Sequence, residues 1–238
     1  MSAGSAKRRA AERAVELVED GMTLGLGTGS TARYVLEVLA ERQARGELTR
    51  VVGVPTSRAT AELAVGLGLT LRALAEHGRL DLAIDGADEI DPRLDLIKGL
   101  GGALLWEKIV AAAADRVVIV ADGSKLVDRL GQRAPLPVEV VTFGWTTHLD
   151  AIRRLGGDPE LRRHPDGEAF VTDSGNHIID CRFEGGIPDP VAVHAALKAR
   201  PGVVETGLFA GMTDAVVVGT DDGVQVLRTG ARTTSESG

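Results

Sequence analysis

Asp85-Gly86-Ala87-Asp88-Glu89 is followed by Lys98-Gly99-Leu100-Gly101-Gly102 and then by Glu107-Lys108. Carboxylates and a lysine are thus set around glycine-rich turns. Glycine has no Cβ and tolerates positive φ, so the backbone there can come close to a small ligand. A carboxylate can move a proton, and an ammonium beside it can stabilise the charge left behind. A second glycine cluster lies upstream, Gly25-Leu26-Gly27-Thr28-Gly29-Ser30-Thr31. No Lys precedes its Ser-Thr pair, so it is not a Walker A loop. Ser30 takes the last glycine's place of a G-x-G-x-x-G fingerprint, so no nucleotide is implied. What remains is a strand, a glycine turn with two hydroxyls, and a helix start. Free N–H groups and the helix dipole bind a phosphate at such a place. The same residues also fit a tight turn with Ser30 or Thr31 as an ordinary N-cap.

Each acidic group has a plainer role beside the chemical one. Asp85 and Asp88, with Gly86-Ala87 between them, could grip sugar hydroxyls or hold a divalent cation. No histidine lies close by in sequence, which weakens the metal case, and Asp91-Pro92 fits solvated surface. Glu107 follows Leu104 and Leu105 in a helical pattern. A helical Glu is usually exposed, but one shielded by apolar neighbours has a raised pKa, which suits a general base. Only Lys7, Lys98, Lys108, Lys125 and Lys198 are lysines among 27 basic residues. Lysine in an arginine-using chain fits either ammonium chemistry or chance. His77, His148, His164, His177 and His194 lack ligand spacing and read as structural or surface groups. Cys181 reads as a buried strand residue.

The elements that must position these groups follow from hydrophobic periodicity. Residues 6–19 predict an amphipathic helix ended by Gly21. Strands are expected at 22–26, 50–54, 69–71, 80–84 and 116–121, with helices at 31–44, 58–66 and 103–114. Strands alternating with helices make a Rossmann-like, mostly parallel sheet with helices on both faces. Ligands bind beyond the carboxyl ends of such strands. Gly25–Ser30, Asp85–Asp88 and Asp122–Lys125 fall at those ends, which makes one shared pocket the expectation. The pattern changes after Pro135. Expected are strands at 137–141, 159–163, 168–172, 177–183 and 203–208, and helices at 146–155 and 190–199. That order is close to β-α-β-β-α-β, a ferredoxin-like insertion. Strands at 215–219 and 224–228 return to the first sheet. The domains are therefore expected at 1–132 with 206–238, and at 133–205. Residues 231–238, rich in Thr and Ser, are expected to fray.

Composition narrows the class. The 238 residues are 44% hydrophobic, enough for a packed core, with only 3% aromatics for stacking on single strands. The net charge of −7 argues against a general polyanion binder, so no nucleic-acid partner is expected. The single cysteine allows no internal disulfide and fits a reducing compartment. No apolar run approaches a membrane span, and no signal-peptide pattern is present, so a cytoplasmic location without membrane partner is expected.

Taken in order, Thr28-Gly29-Ser30-Thr31, Asp85-Gly86-Ala87-Asp88-Glu89, Lys98-Gly99 through Glu107-Lys108, Ala121-Asp122-Gly123-Ser124-Lys125 and Leu136-Pro137-Val138-Glu139-Val140 closely resemble type A ribose-5-phosphate isomerase. Pro201-Gly202-Val203-Val204 and Gly207-Leu208-Phe209 resemble that family's return strand. The resemblance spans residues 7–228. It implies interconversion of ribose 5-phosphate and ribulose 5-phosphate in the pentose phosphate pathway, without metal or organic cofactor. It implies Glu107 as the base between C1 and C2, Lys98 at the enediolate oxygens, and Asp85 in ring opening. Asp88 would hold hydroxyls, and Gly86, Ala87, Gly99, Leu100 and Gly101 would line the substrate. Thr28, Gly29, Ser30, Thr31 and Lys125, with Lys7 as an addition, would take its phosphate end. It also implies a homodimer or homotetramer. Two residues depart from the pattern: Leu100, where glycine or a polar residue is common, and Trp106, where arginine is. A phosphosugar sensor would lack Glu107 and Lys98; of the other phosphosugar enzymes on such a scaffold, a deaminase or a lactonase, the deaminase would want a histidine by the acidic loop.

Overall fold

The computed structural model describes residues 3–76, 78–228 and 234–236. In chain order its elements are α1 (Ala3–Val15), β1 (Thr23–Leu26), α2 (Ala32–Ala44), β2 (Val52–Pro55), α3 (Arg58–Gly66), β3 (Leu82–Asp85), β4 (Glu89–Ile90), β5 (Leu96–Ile97) and α4 (Leu104–Ala113). Then come β6 (Val117–Asp122), β7 (Leu136–Val140), α5 (Leu149–Arg154), β8 (Gly157–Leu161), β9 (His177–Phe183), α6 (Pro190–Lys198), β10 (Val203–Thr206), β11 (Leu208–Phe209), β12 (Ala215–Gly219), β13 (Val224–Arg228) and β14 (Thr234–Glu236). They fall into two compact units. The first takes the described residues up to Ala87, Trp106–Lys125 and those from Met212 on; the second takes Asp88–Leu105 and Leu126–Gly211. The expected insertion, 133–205, lies wholly inside the second unit, which also takes in 88–105, 126–132 and 206–211.

The first unit is built on a seven-stranded sheet of order β14-β13-β12-β6-β3-β1-β2. The five strands from β12 to β2 are parallel, and β13 and β14 add antiparallel at the edge. Strand alternation assigns the two faces. Leu24, Leu26, Leu82, Ile84, Val118 and Val120 enter one core with α1 and α2. α1 fits there because Ala6, Ala10 and Ala14 recur at helical spacing and are buried. Its backbone comes so close that a Cβ on Gly219 would lie within bonding distance of Ala6 O. Gly25 and Ala83 point to the opposite face, where α4 lies; a Cβ on Gly25 would sit 2.5 Å from Val110 Cγ1.

The second unit has its own core, from Ile97 and Val127 through Leu208. Its β7-α5-β8-β9-α6-β10 segment forms a four-stranded antiparallel sheet of order β10-β7-β9-β8, the split ferredoxin-like arrangement. A small sheet of order β11-β5-β4 completes it.

Several boundaries move. The first helix spans 3–15 rather than 6–19, since Glu16–Asp20 leave the helix in turns. Residues 69–71 and 168–172 reach their neighbours through single bridges only, Gly53–Leu71 and Arg163–Ala169. The expected 203–208 strand breaks at Gly207, where a Cβ would meet Lys98 O at 2.2 Å, so β11 pairs with β5 instead. Residues 146–155 divide into a 3-10 turn at Trp145–His148 and the short α5. Of the tail expected to fray, residues 234–236 pair with β13, and 231–233 and 237–238 lie outside the described residues, as does His77. Among the described residues no helix is long and apolar enough to cross a membrane.

Candidate active site

In the first unit β1 ends at Leu26 and the chain turns through residues 27–31 into α2. Gly25, grouped above with the loop, lies inside β1 and serves packing against α4. Asp85, 6% exposed at the end of the neighbouring strand β3, organises the turn. Its Oδ1 accepts from Thr28 N at 3.0 Å and Gly86 N at 2.7 Å. A Cβ on Gly27 would lie 2.1 Å from that oxygen, so only glycine fits there.

Hydroxyls hold the turn from the other side. Thr28 Oγ1 lies 2.7 Å from Thr56 Oγ1, 2.9 Å from Thr60 Oγ1, and donates to Ser57 Oγ at 2.9 Å. Thr60 Oγ1 donates to Gly27 O at 3.1 Å, and Thr56 Oγ1 to Leu26 O at 3.0 Å. Ser57 also caps α3, accepting from Thr60 N at 3.0 Å. Thr56, Ser57 and Thr60 are buried. No local sequence pattern marks these three as the support of the turn.

The turn faces a cavity of about 610 Å³ lined by Lys7, Gly27, Thr28, Gly29 and Ser30 among others. Lys7 Nζ donates to Ser30 Oγ at 2.9 Å and lies 3.9 Å from Asp122 Oδ2. Burial works to raise the Asp122 carboxyl, but bonds from Ser124 and the charges of Lys7 and Lys125 hold it below its ordinary value. Lys125 closes the 3-10 turn Gly123–Lys125 after β6. Thr31 is buried at the N-cap of α2 and makes no side-chain capping bond. The first N–H groups of a helix have no intrahelical partner, so this end presents donors and a positive dipole.

Glu107 stands in the first turn of α4 and is 5% exposed, not the solvated helical Glu of the plainer alternative. It shares a helix face with Val110, one turn on. α4 runs against the strands, since its last residue Ala113 meets the start of β3 through Leu80 N. With Val110 over Gly25, Glu107 is placed toward the carboxyl ends of the strands, where Asp85 and the turn lie.

The second unit carries Asp88 and the Lys98 turn. Lys98 is 3% exposed, with its N–H bonded to Gly207 O at 2.9 Å and its ammonium 5.6 Å from the Phe209 ring centroid. Asp88 N donates to Ile97 O at 2.8 Å, and Asp88 Oδ2 accepts from Leu100 N at 2.9 Å. Gly99 and Gly102 have φ of 105° and 85°. Leu100 is 42% exposed, and Gly101 follows it at the tip. Two acidic residues differ from their expectations. Glu89 is fully buried and accepts from the N–H groups of Gly131, Arg133 and Ala134 at 2.5, 2.6 and 2.7 Å, which makes it a loop anchor. Asp91 is also buried, closing a turn through Arg93 N and Asp95 N. Among the described residues no three His, Cys, Asp or Glu side chains gather as a metal site.

The sequence model of ribose 5-phosphate isomerase A (phosphoriboisomerase A) matches residues 52–223. The chain belongs to the ribose-5-phosphate isomerase A family. The ribose-5-phosphate isomerase A of Roseiflexus castenholzii is 59% identical over 93% of this chain and 94% of its own. That of Gloeobacter violaceus is 56% identical over 93% and 95%. Solved structures agree. A D-ribose-5-phosphate isomerase in complex with phospho-erythronic acid is 41% identical, with a TM-score of 0.93 over 96% of this chain and 100% of that one. The Methanocaldococcus jannaschii enzyme is 40% identical, with a TM-score of 0.90 over 95% and 100%.

Proposed function

We infer that the chain is an aldose–ketose isomerase interconverting D-ribose 5-phosphate and D-ribulose 5-phosphate, in the non-oxidative branch of the pentose phosphate pathway. The observation that carries this is the family match over 52–223, which includes Asp85, Lys98 and Glu107. The chemistry asks for little else. Asp85 assists opening of the furanose ring. Glu107 takes the proton from C2 of the open-chain aldehyde and delivers it to C1. The negative charge passes to the C1 and C2 oxygens as an enediolate, which the Lys98 ammonium stabilises. Asp88 and the backbone of Gly86, Ala87, Gly99, Leu100 and Gly101 hold the sugar.

The phosphate belongs at residues 28–31 with Lys7 and Lys125. There the turn, the helix start and two ammonium groups favour a dianion. Anchoring the phosphate away from the reacting carbons supplies binding energy for their orientation. The complex of a relative with phospho-erythronic acid supports this account. That ligand's carboxylate imitates the paired oxygens of an enediolate, and its phosphate end matches the substrate's. No metal or organic cofactor has a role in these steps. A homodimer or homotetramer in the cytoplasm is the proposed setting; light scattering on the purified protein checks the assembly. The deciding experiment gives ribose 5-phosphate to pure protein after exhaustive chelation. Ribulose 5-phosphate should form at the untreated rate. No turnover, or turnover that requires an added divalent ion, contradicts the proposal.

A further inference from the structure

We propose that Arg162, gripped by Asp180, is a positioning residue that sets the peptide planes of the glycine turn after Lys98. The inference rests on the reading that Lys98 and this turn touch the pentose phosphate. Arg162 follows β8 directly and is tied into the sheet, with its N–H bonded to Ile178 O at 2.8 Å. Its Nε donates to Asp180 Oδ2 at 2.8 Å and its Nη2 to Asp180 Oδ1, a bidentate pair. The remaining Nη1 reaches the turn. It donates to Gly99 O at 2.8 Å and Leu100 O at 3.0 Å. The guanidinium lies 5.7 Å from the Phe170 ring centroid, and that ring closes over Gly102, where a Cβ would be 2.4 Å from Cζ.

A trans peptide points its N–H opposite to its C=O, and none here is cis. Fixing Gly99 O and Leu100 O on Arg162 therefore turns the N–H groups of Leu100 and Gly101 the other way. Leu100 N–H meets Asp88 Oδ2. Gly101 N–H has no protein acceptor among the described residues and is left as a donor for substrate oxygen. A turn holding Gly99, Gly101 and Gly102 would otherwise flip these planes at little cost, because glycine accepts either sign of φ. Arginine suits the task because its fork can serve a carboxylate and two carbonyls at once, which a lysine ammonium cannot. Arg162 itself need not touch the substrate.

The test measures kcat, KM and inhibition by inorganic phosphate for Arg162→Ala, Arg162→Lys, Asp180→Asn and, in parallel, Lys98→Ala. Arg162→Ala should lose about 10²-fold in kcat, the scale expected when a reacting group is misplaced. Its phosphate inhibition should not change, because phosphate is held by residues 28–31. Arg162→Lys should recover little. Asp180→Asn should show a smaller loss of the same kind. Guanidinium ion, far below denaturing concentrations, should restore part of the kcat of Arg162→Ala and none of that of Lys98→Ala. Wild-type kcat and KM in folded Arg162→Ala, with Lys98→Ala inactive, overturns the positioning role and leaves the site intact. A loss that guanidinium does not restore and that follows Tm across the variants also overturns it. Wild-type kcat in Lys98→Ala overturns the reading of the turn itself. Should Arg162→Ala not fold, Asp180→Asn decides: unchanged kcat refutes the proposal.

Discussion

Both turns are rich in glycine, and they differ in what holds them. At the entry to the turn at residues 27–30, Leu26 O and Gly27 O are taken by the neutral hydroxyls of Thr56 and Thr60, and Thr28 N–H is held by the Asp85 carboxylate. The turn at residues 99–102 has its carbonyls taken by one guanidinium, itself held by a carboxylate. Both supports grip C=O groups and so leave N–H groups facing away. Under the proposed function, the difference matches what each turn would bind. A phosphate dianion bound at the first turn, as proposed, would be served by helix N–H groups and the ammonium of Lys7. The second turn, on the same proposal, would meet uncharged sugar oxygens and a charge that appears only during reaction. A half-buried ion pair there fixes geometry without competing for the ground-state ligand.

The largest contrast should come from adding one methyl group to each turn. In Gly27→Ala the new Cβ would meet Asp85 Oδ1, Cγ and Cα between 2.1 and 2.5 Å, including backbone that cannot retreat. A loss of about 3 kcal/mol in folding stability by urea unfolding is expected, at the upper end of overpacking costs, with activity near background. In Gly102→Ala the obstacle is the Phe170 ring, which can shift, and the residue carries a φ of 85°. That backbone strain alone costs about 1–2 kcal/mol, and Phe170→Leu in the same chain should recover what the clash adds. Equal costs for the two glycines would erase the distinction between a rigid turn and a yielding one.

The sequence revealed much of the frame and little of these supports. α3, β9, β12 and β13 lie where periodicity and flanking turn residues put them. The β-α-β-β-α-β order was legible because each piece is long enough to show a period. β4, β5 and β11 are two residues each, too short for any pattern, so their sheet could not be foreseen. Glu89 looked like a chemical carboxylate because it adjoins Asp85 and Asp88, yet its partners lie far along the chain at residues 131–134. Arg162 is likewise remote in sequence from Gly99, and nothing local marks it among so many arginines. Local chemistry pointed to the groups that act; the long-range contacts that hold them needed coordinates.

A smaller test removes one hydroxyl. Thr60→Val deletes the bond to Gly27 O and one contact to Thr28. A typical hydrogen bond contributes about 1 kcal/mol, so stability should fall by that order. KM for ribose 5-phosphate should rise severalfold while kcat changes little. A fall in kcat at constant KM would show that the hydroxyls serve the chemistry and not the phosphate.

The smallest effect concerns pH. In the second unit Glu139 is buried on β7, with Oε1 accepting from Thr172 Oγ1 and Asn176 Nδ2, both at 2.9 Å. Its Oε2 is buried without a partner among the described residues. Burial raises this carboxyl above its ordinary value; the two bonds oppose that, and Glu205 and Asp173 add to it. A raised native pKa means that the native state binds the proton more tightly than the unfolded chain. Its contribution is full below the unfolded value and is lost as pH rises through the native one. Glu139→Gln should therefore flatten the decline in stability as pH rises above the ordinary carboxylate range, read by urea unfolding. An unchanged pH profile would mean that Glu139 is ionised throughout.

The central claim is that Glu107 carries the proton between C2 and C1. The most direct measurement follows Glu107→Gln with ribose 5-phosphate in D2O, reading both turnover and deuterium at C1 of ribulose 5-phosphate. Gln keeps the shape and cannot accept the proton. The account predicts a fall in kcat of at least about 10²–10⁴-fold, the range of general-base catalysis, a matching loss of deuterium incorporation, and unchanged inhibition by inorganic phosphate. Retention of more than about a tenth of wild-type kcat, far above what loss of a general base allows, would contradict it and move the base to Asp85.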